Sequence, residues 1–199
     1  MVIVYVDDCG VAGKPQWIQW FGKEVGKRFK LKAMGELSEF IGANIQRTAG
    51  GFTISQQKLI ESLEDRFKVE QRKWTAPAAP GKILMKNEDE RLNSELSTIY
   101  RSGVGKLLYL TKLSRPELAS AVRELSKFVD YSSNDHFYAM HRAMRYVIDT
   151  KHHVLTLIPD NEFKNVIMGF SDSNYATDKD GRRSISGFAI YYNGACNII

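Results

Sequence analysis

The sequence predicts an α+β fold in which β-hairpins carrying helices come first, a small helical bundle follows, and an incomplete β-sheet ends the chain. Three observations predict it. Val2 to Val6 form an apolar, β-branched opening run, apolar residues recur at the helical period between Ser97 and Ile148, and strand-like runs return after Lys151. The 199 residues are ample to bury a core, and 43% hydrophobic with 26% charged residues exclude a disordered or fibrous chain. No apolar run approaches the roughly 18 to 20 residues that span a bilayer, and the opening run lacks the basic flank of a signal peptide. An intracellular protein with no membrane partner is expected. Cys9 and Cys196 have no second pair and no metal-ligand spacing, which fits free thiols in a reducing compartment.

The opening run Met1-Val2-Ile3-Val4-Tyr5-Val6 suits a buried strand that delivers Asp7 and Asp8 to a turn, with Gly10, Gly13 and Lys14-Pro15 punctuating the chain after it. Two adjacent carboxylates repel each other unless a hard cation such as Mg²⁺ lies between them; alternatively the pair is a solvated turn. From Gln16 to Phe29, Trp17, Trp20, Phe21, Val25 and Phe29 predict one apolar helical face. Between Lys14 and Lys32 stand six basic residues and one acid, an excess of +5 equal to the net charge of the whole chain. That cluster permits an anionic partner and equally fits a solvated face.

A connection through Gly35-Glu36-Leu37 leads to a strand near Phe40 to Ile45, and Gly50-Gly51 turns the chain into Phe52-Thr53-Ile54-Ser55, a hairpin. Ser55 is the expected cap of a helix reaching about Phe67. Trp74 to Pro80 cannot continue a helix, and residues 74–96, with acidic Asn87-Glu88-Asp89-Glu90, read as a mobile surface loop. Tyr100, Val104, Leu107 and Leu108 line a helix from Ser97 to Leu113. Ser114 and Glu117 suggest a capping box around Pro116 for the next helix, with Leu118, Val122, Leu125 and Val129 inside; Phe137, Met140, Met144 and Val147 mark the last. His136, His141, His152 and His153 make no credible metal pair and read as satisfied or solvated. The predicted strands after Lys151 are His153 to Ile158, a run from Val166 that ends at Asp172, and Ile185 to Tyr192, entered from the polar turn Asp178 to Arg183.

In order along the chain stand Tyr5-Val6-Asp7-Asp8, Gly35-Glu36-Leu37 with Phe40-Ile41-Gly42, Ile54-Ser55-Gln56 with Lys58, Tyr100-Arg101-Ser102 with Leu107-Leu108-Tyr109-Leu110-Thr111, Arg115-Pro116-Glu117, and Ser171-Asp172-Ser173-Asn174 with Arg182-Arg183-Ser184. Together they resemble the reverse transcriptase of copia-type LTR retrotransposons, from the second half of the palm into the start of ribonuclease H. The resemblance implies RNA-directed DNA synthesis at a two-Mg²⁺ site, with Asp7 and Asp8 as metal ligands and Tyr5 and Val6 beside the primer end and nascent pair. It implies that Phe40, Ile41 and Gly42 form a primer grip, and that Asp172 is the first metal-binding carboxylate of ribonuclease H. Arg101, Lys106, Lys112, Arg115, Arg123 and Lys127 are expected on the phosphates of a template-primer duplex or RNA-DNA hybrid.

The implied organisation is a partial palm with primer-grip hairpin and first thumb helix over 1–73, a linker over 74–96, thumb or connection helices over 97–151 and a truncated ribonuclease H-like unit over 152–199. In that family the palm site draws on another aspartate from an earlier strand, and the ribonuclease H site on further acids downstream. The chain is therefore expected to be a catalytically incomplete piece of a polyprotein that handles dNTPs in a cytoplasmic particle or the nucleus and works with the remaining polyprotein segments. The return half of the opening hairpin, Cys9-Gly10, is expected to be loose. A non-catalytic nucleic-acid-binding remnant and an inert pseudogene product are the rival readings.

Overall fold

The computed structural model describes residues 1–86, 90–176, 178 and 181–198; Asn87, Glu88 and Asp89 of the acidic stretch, and Lys179 and Asp180 of the polar turn, lie outside the described residues. Helices build the core. Those helices are α1 (Pro15–Gly26), α2 (Gln57–Phe67), α3 (Ser94–Leu113), α4 (Ala119–Ser126) and α5 (Asn134–Asp149), and all but α1 enclose Ile60, Leu63, Tyr100, Val104, Leu107, Leu110, Leu118, Val122, Leu125, Met140, Met144 and Val147. The 3.6-residue stripes predicted for this region are the stripes that are buried. Tyr100 is fully buried and donates its hydroxyl to the Leu125 carbonyl at 2.7 Å, and burial pushes its phenol above the usual range. Gly103 lets α3 and α5 approach, because a Cβ there would lie 2.3 Å from the Met140 sulfur.

Several boundaries differ from the expectations, each for a local reason. α3 begins three residues before Ser97, since the Asn93 side chain accepts the Leu96 amide and Leu92 is buried, which fixes the end of the expected mobile loop. Gln56, not Ser55, precedes α2; it is buried and takes a hydrogen bond on Oε1 from the Ser114 hydroxyl at 2.8 Å. That bond removes Ser114 from the predicted capping box, and Glu117 instead accepts from Arg115, so Pro116–Leu118 form a 3-10 turn ahead of α4. His136 is fully buried: its Nδ1 accepts from the Ser133 amide at 2.9 Å and closes the cap of α5, with the ring stacked on Phe128.

Among the described residues the strands form three antiparallel sheets. β1 (Val2–Tyr5) pairs with β2 (Asp8–Val11). β3 (Glu39–Phe40), β4 (Ala43–Arg47), β5 (Phe52–Ser55) and β6 (Leu155–Leu157) make the second sheet, in that order. β7 (Ile167–Asn174), β8 (Ile185–Tyr192) and β9 (Ala195–Ile198) make the third. The strand read from His153 to Ile158 thus joins the hairpin that follows Phe40, with Ile54 opposite Leu155 and Phe52 opposite Leu157. Gly51 permits this pairing, because a Cβ there would come within 2.1 Å of the Leu157 carbonyl oxygen. Neither Gly50 nor Gly51 takes a positive φ, so the turn's backbone conformation is not what calls for glycine at 51.

The opening hairpin departs most from expectation. Val2 to Val6 are exposed, with Val4 at 68%, because neither face of this two-stranded ribbon is covered; α1 likewise buries no residue, and Trp17 and Trp20 are 58% and 56% exposed. Cys9-Gly10 are not loose: they form β2 in register with Val4 and Ile3.

Candidate metal-binding hairpin and nucleic-acid interface

β1 and β2 are joined by a two-residue turn, Val6-Asp7, and Tyr5 is registered opposite Asp8. Asp7 therefore stands at the tip and Asp8 begins the return strand, so the two carboxylates do not share one loop. Val6 takes φ +49, a conformation a β-branched residue adopts at a cost of about 1–3 kcal/mol. Both carboxylates are exposed, and neither has a hydrogen-bond or ion-pair partner among the described residues. Pairing across the ribbon places Ile3, Tyr5, Asp8 and Gly10 on one face. Only its Gly10 end approaches another element: a Cβ on Gly10 would be 4.0 Å from the Phe40 ring, while Ile3 and Tyr5 stay exposed.

Phe40, Ile41 and Gly42 form the β3–β4 corner. Phe40 pairs with Ala43 across a two-residue turn in which Ile41 (φ +50) and Gly42 (φ +64) both occupy the left-handed region. The Tyr109 hydroxyl, from α3, donates to the Ile41 carbonyl. Burial, and then the neighbouring Tyr5, hold the Tyr109 phenol above its usual range.

The basic residues divide by environment. On α3, Arg101, Gly105, Leu108 and Lys112 recur at helical spacing as one exposed line. Lys106 is half-buried, and burial together with Arg66 lowers its pKa. Arg123 is paired with Glu124, and Lys127 with Glu124 at 3.0 Å and Asp178 at 2.9 Å, so neither offers its full charge to solvent. Arg115 is 1% exposed: Nε donates to Glu117 at 2.6 Å, Nη2 to the Thr150 hydroxyl at 2.6 Å and Nη1 to the Thr150 carbonyl at 3.3 Å. Expected on phosphate, Arg115 instead clasps the end of α5 from inside the bundle.

Asp172 is exposed and lies within β7 opposite Gly187, two residues short of the strand end where it was expected. Among the described residues no group of three His, Cys, Asp or Glu side chains is gathered to hold a metal, so Asp172 does not join Asp7 and Asp8. Tyr109 and the Lys127–Asp178 link to the β7–β8 connection went unread in the sequence, since a hydroxyl or charge on a helix carries no mark of a distant partner.

Residues 1–79 match the family model for reverse transcriptase (RNA-dependent DNA polymerase). This match and the similarities that follow support a partial copia-type retrotransposon reverse transcriptase. It is 31% identical over 192 residues to the retrovirus-related Pol polyprotein from transposon RE1 of Arabidopsis thaliana, covering 96% of this chain and 13% of that one. It is 26% identical over 202 residues to the Pol polyprotein from transposon TNT 1-94 of Nicotiana tabacum, covering 98% and 15%. A second Arabidopsis thaliana relative, the Pol polyprotein from transposon RE2, is 30% identical over 192 residues, covering 96% and 13%. The chain thus spans about one seventh of the length of these relatives. No solved structure matches it. No helix among the described residues is long and apolar enough to cross a membrane.

Proposed function

We propose that this chain supplies the metal-binding hairpin, the primer grip and part of the duplex-binding surface of an RNA-directed DNA polymerase, and opens the ribonuclease H-like unit that follows. The observation carrying this reading is the exposed β1–β2 hairpin, with Asp7 at its tip and Asp8 beside it, whose Gly10 lies close to the Phe40 ring. Adjacent, unpaired carboxylates at Asp7 and Asp8 offer the hard oxygen donors that suit Mg²⁺. When bound, two such ions activate a primer hydroxyl and stabilise charge at the α-phosphate of an incoming nucleotide. The chain's own part is placement. Tyr5 and Val6 border the primer end, Phe40, Ile41 and Gly42 hold it, and much of the rate of such a reaction comes from holding the reactants in line.

In this reading 1–73 serve as palm and first thumb helix, 74–96 as linker, 97–151 as thumb or connection, and β7–β9 with Asp172 as the ribonuclease H-like start, while β6, expected in that last unit, completes the sheet of β3–β5. By itself the 199-residue chain incorporates no nucleotide, because Asp7 and Asp8 are only part of a two-metal ligand set. It works in an intracellular particle with the other segments of its polyprotein. Arg101 and Lys112, with Lys106 beside them, track phosphates; Arg115 is withdrawn from that role, and Arg123 and Lys127 serve it only after giving up their ion pairs.

Binding of an RNA-DNA hybrid followed by fluorescence anisotropy across a salt series tests this. The double variant Arg101→Ala/Lys112→Ala is expected to weaken binding and to reduce the salt slope by about 2, roughly one per lost phosphate contact. An unchanged slope sinks the duplex surface. The exposed α3 line also favours a second reading, a binding module with no catalytic duty; it requires that Asp7→Asn leave metal and primer-end behaviour untouched.

A further inference from the structure

The Ile41-Gly42 turn is held from outside its own hairpin. Both residues lie at positive φ, and such a turn with a β-branched member persists only where its surroundings over-determine it. The surroundings here are Tyr109. Its hydroxyl donates to the Ile41 carbonyl, and a Cβ on residue 42 would stand 3.0 Å from that same oxygen, so glycine is needed both for its φ and for the approach of the phenol. Tyr109 belongs to α3, one helical step from Lys112 and beside the exposed line that begins at Arg101. The charge of Tyr5, which shares its ribbon face with Asp8, is felt at the same phenol. A single side chain therefore joins the helix that would lie along a duplex to the turn that would hold its primer end.

We infer that Tyr109 is a positioning residue: its hydroxyl latches α3 to the Ile41-Gly42 turn and so fixes the primer end relative to Asp7 and Asp8 while the helix holds the duplex. The inference rests on the polymerase reading. Its geometric content is separate from it, because the latch acts on where the primer end sits and the α3 cations act on how tightly the duplex is held. Losing the hydroxyl leaves the ring, the helix and the charges in place.

The test uses the purified 199-residue chain and a template-primer with 2-aminopurine either at the primer 3′ end or at an interior position. Tyr109→Phe is expected to bind within twofold of wild type and to unfold at the same urea concentration, while the response of the terminal probe falls at least threefold and that of the interior probe is unchanged. Arg101→Ala/Lys112→Ala should do the reverse, losing affinity yet keeping the terminal response at saturation. A Tyr109→Phe chain with the full terminal response overturns the inference alone. Equal loss of both probe responses together with a lowered unfolding midpoint also overturns it, since the bond would then be only structural. A wild-type chain that leaves both probes silent sinks the polymerase reading itself, and is told apart because the first outcome requires wild type and variant to respond alike.

Discussion

Gly51→Ala is expected to detach β6 from the sheet it completes and to cost about 2–3 kcal/mol. The new Cβ would lie 2.1 Å from the Leu157 carbonyl oxygen and 3.0 Å from the Ile158 Cα, backbone atoms that cannot swing aside as a side-chain end can. Relief requires moving β6, which breaks the pairing of Phe52, Thr53 and Ile54 with Leu157, Thr156 and Leu155. Amide exchange should report this directly, with protection lost at β5 and β6 and retained at Leu107, Leu110 and Val147 in the bundle. An alanine variant within about 0.5 kcal/mol of wild type, its β6 amides still protected, would show that the strand does not run against Gly51.

Arg115→Ala is expected to lower stability by about 3 kcal/mol, because it strips donors from Glu117 and from both oxygens of Thr150 at the end of α5. Arg115→Lys should recover little, since an ammonium cannot reach three acceptors in the fixed geometry of a guanidinium. In hybrid-binding assays on the folded chain, the salt slope of Arg115→Ala should equal that of wild type. A slope lower by about 1 with an unchanged urea midpoint would return Arg115 to the phosphate-contact role that its charge suggests.

These two residues mark where the sequence is silent. The helical period was plain in Tyr100, Val104, Leu107, Val122, Met140 and Val147, and each is buried, because a stripe on one helix face has a single way to leave water. Element ends were harder. Asn93 caps the start of α3 by accepting the Leu96 amide, and Gln56, just ahead of α2, is held by the Ser114 hydroxyl, partners that local pattern does not name. Leu155-Thr156-Leu157 read correctly as a strand, but its pairing with β5, a hundred residues earlier, depends on a glycine whose service is steric and remote.

The candidate site was legible in the same uneven way. Asp7 and Asp8 after a β-branched run, and Phe40-Ile41-Gly42 before a strand, were identifiable as local motifs, and both are corners of hairpins. A run of Val and Ile was expected to be buried, yet it is exposed, because burial needs a covering layer and Val2 to Val6 have none here. Arg115, Arg123 and Lys127 were read as free charges because sequence gives charge without giving partners. Their ion pairs leave Arg101 and Lys112 as the exposed cations of α3.

The central claim is that Asp7 and Asp8 form one side of a cation site facing a held primer end, and relaxation by Mn²⁺ of a ¹⁵N-labelled chain saturated with template-primer tests it most directly. Broadening that begins at Val6 to Cys9 and at Gly42, and that Asp7→Asn removes, is the predicted result. Broadening that begins elsewhere, or that survives Asp7→Asn undiminished, would contradict it.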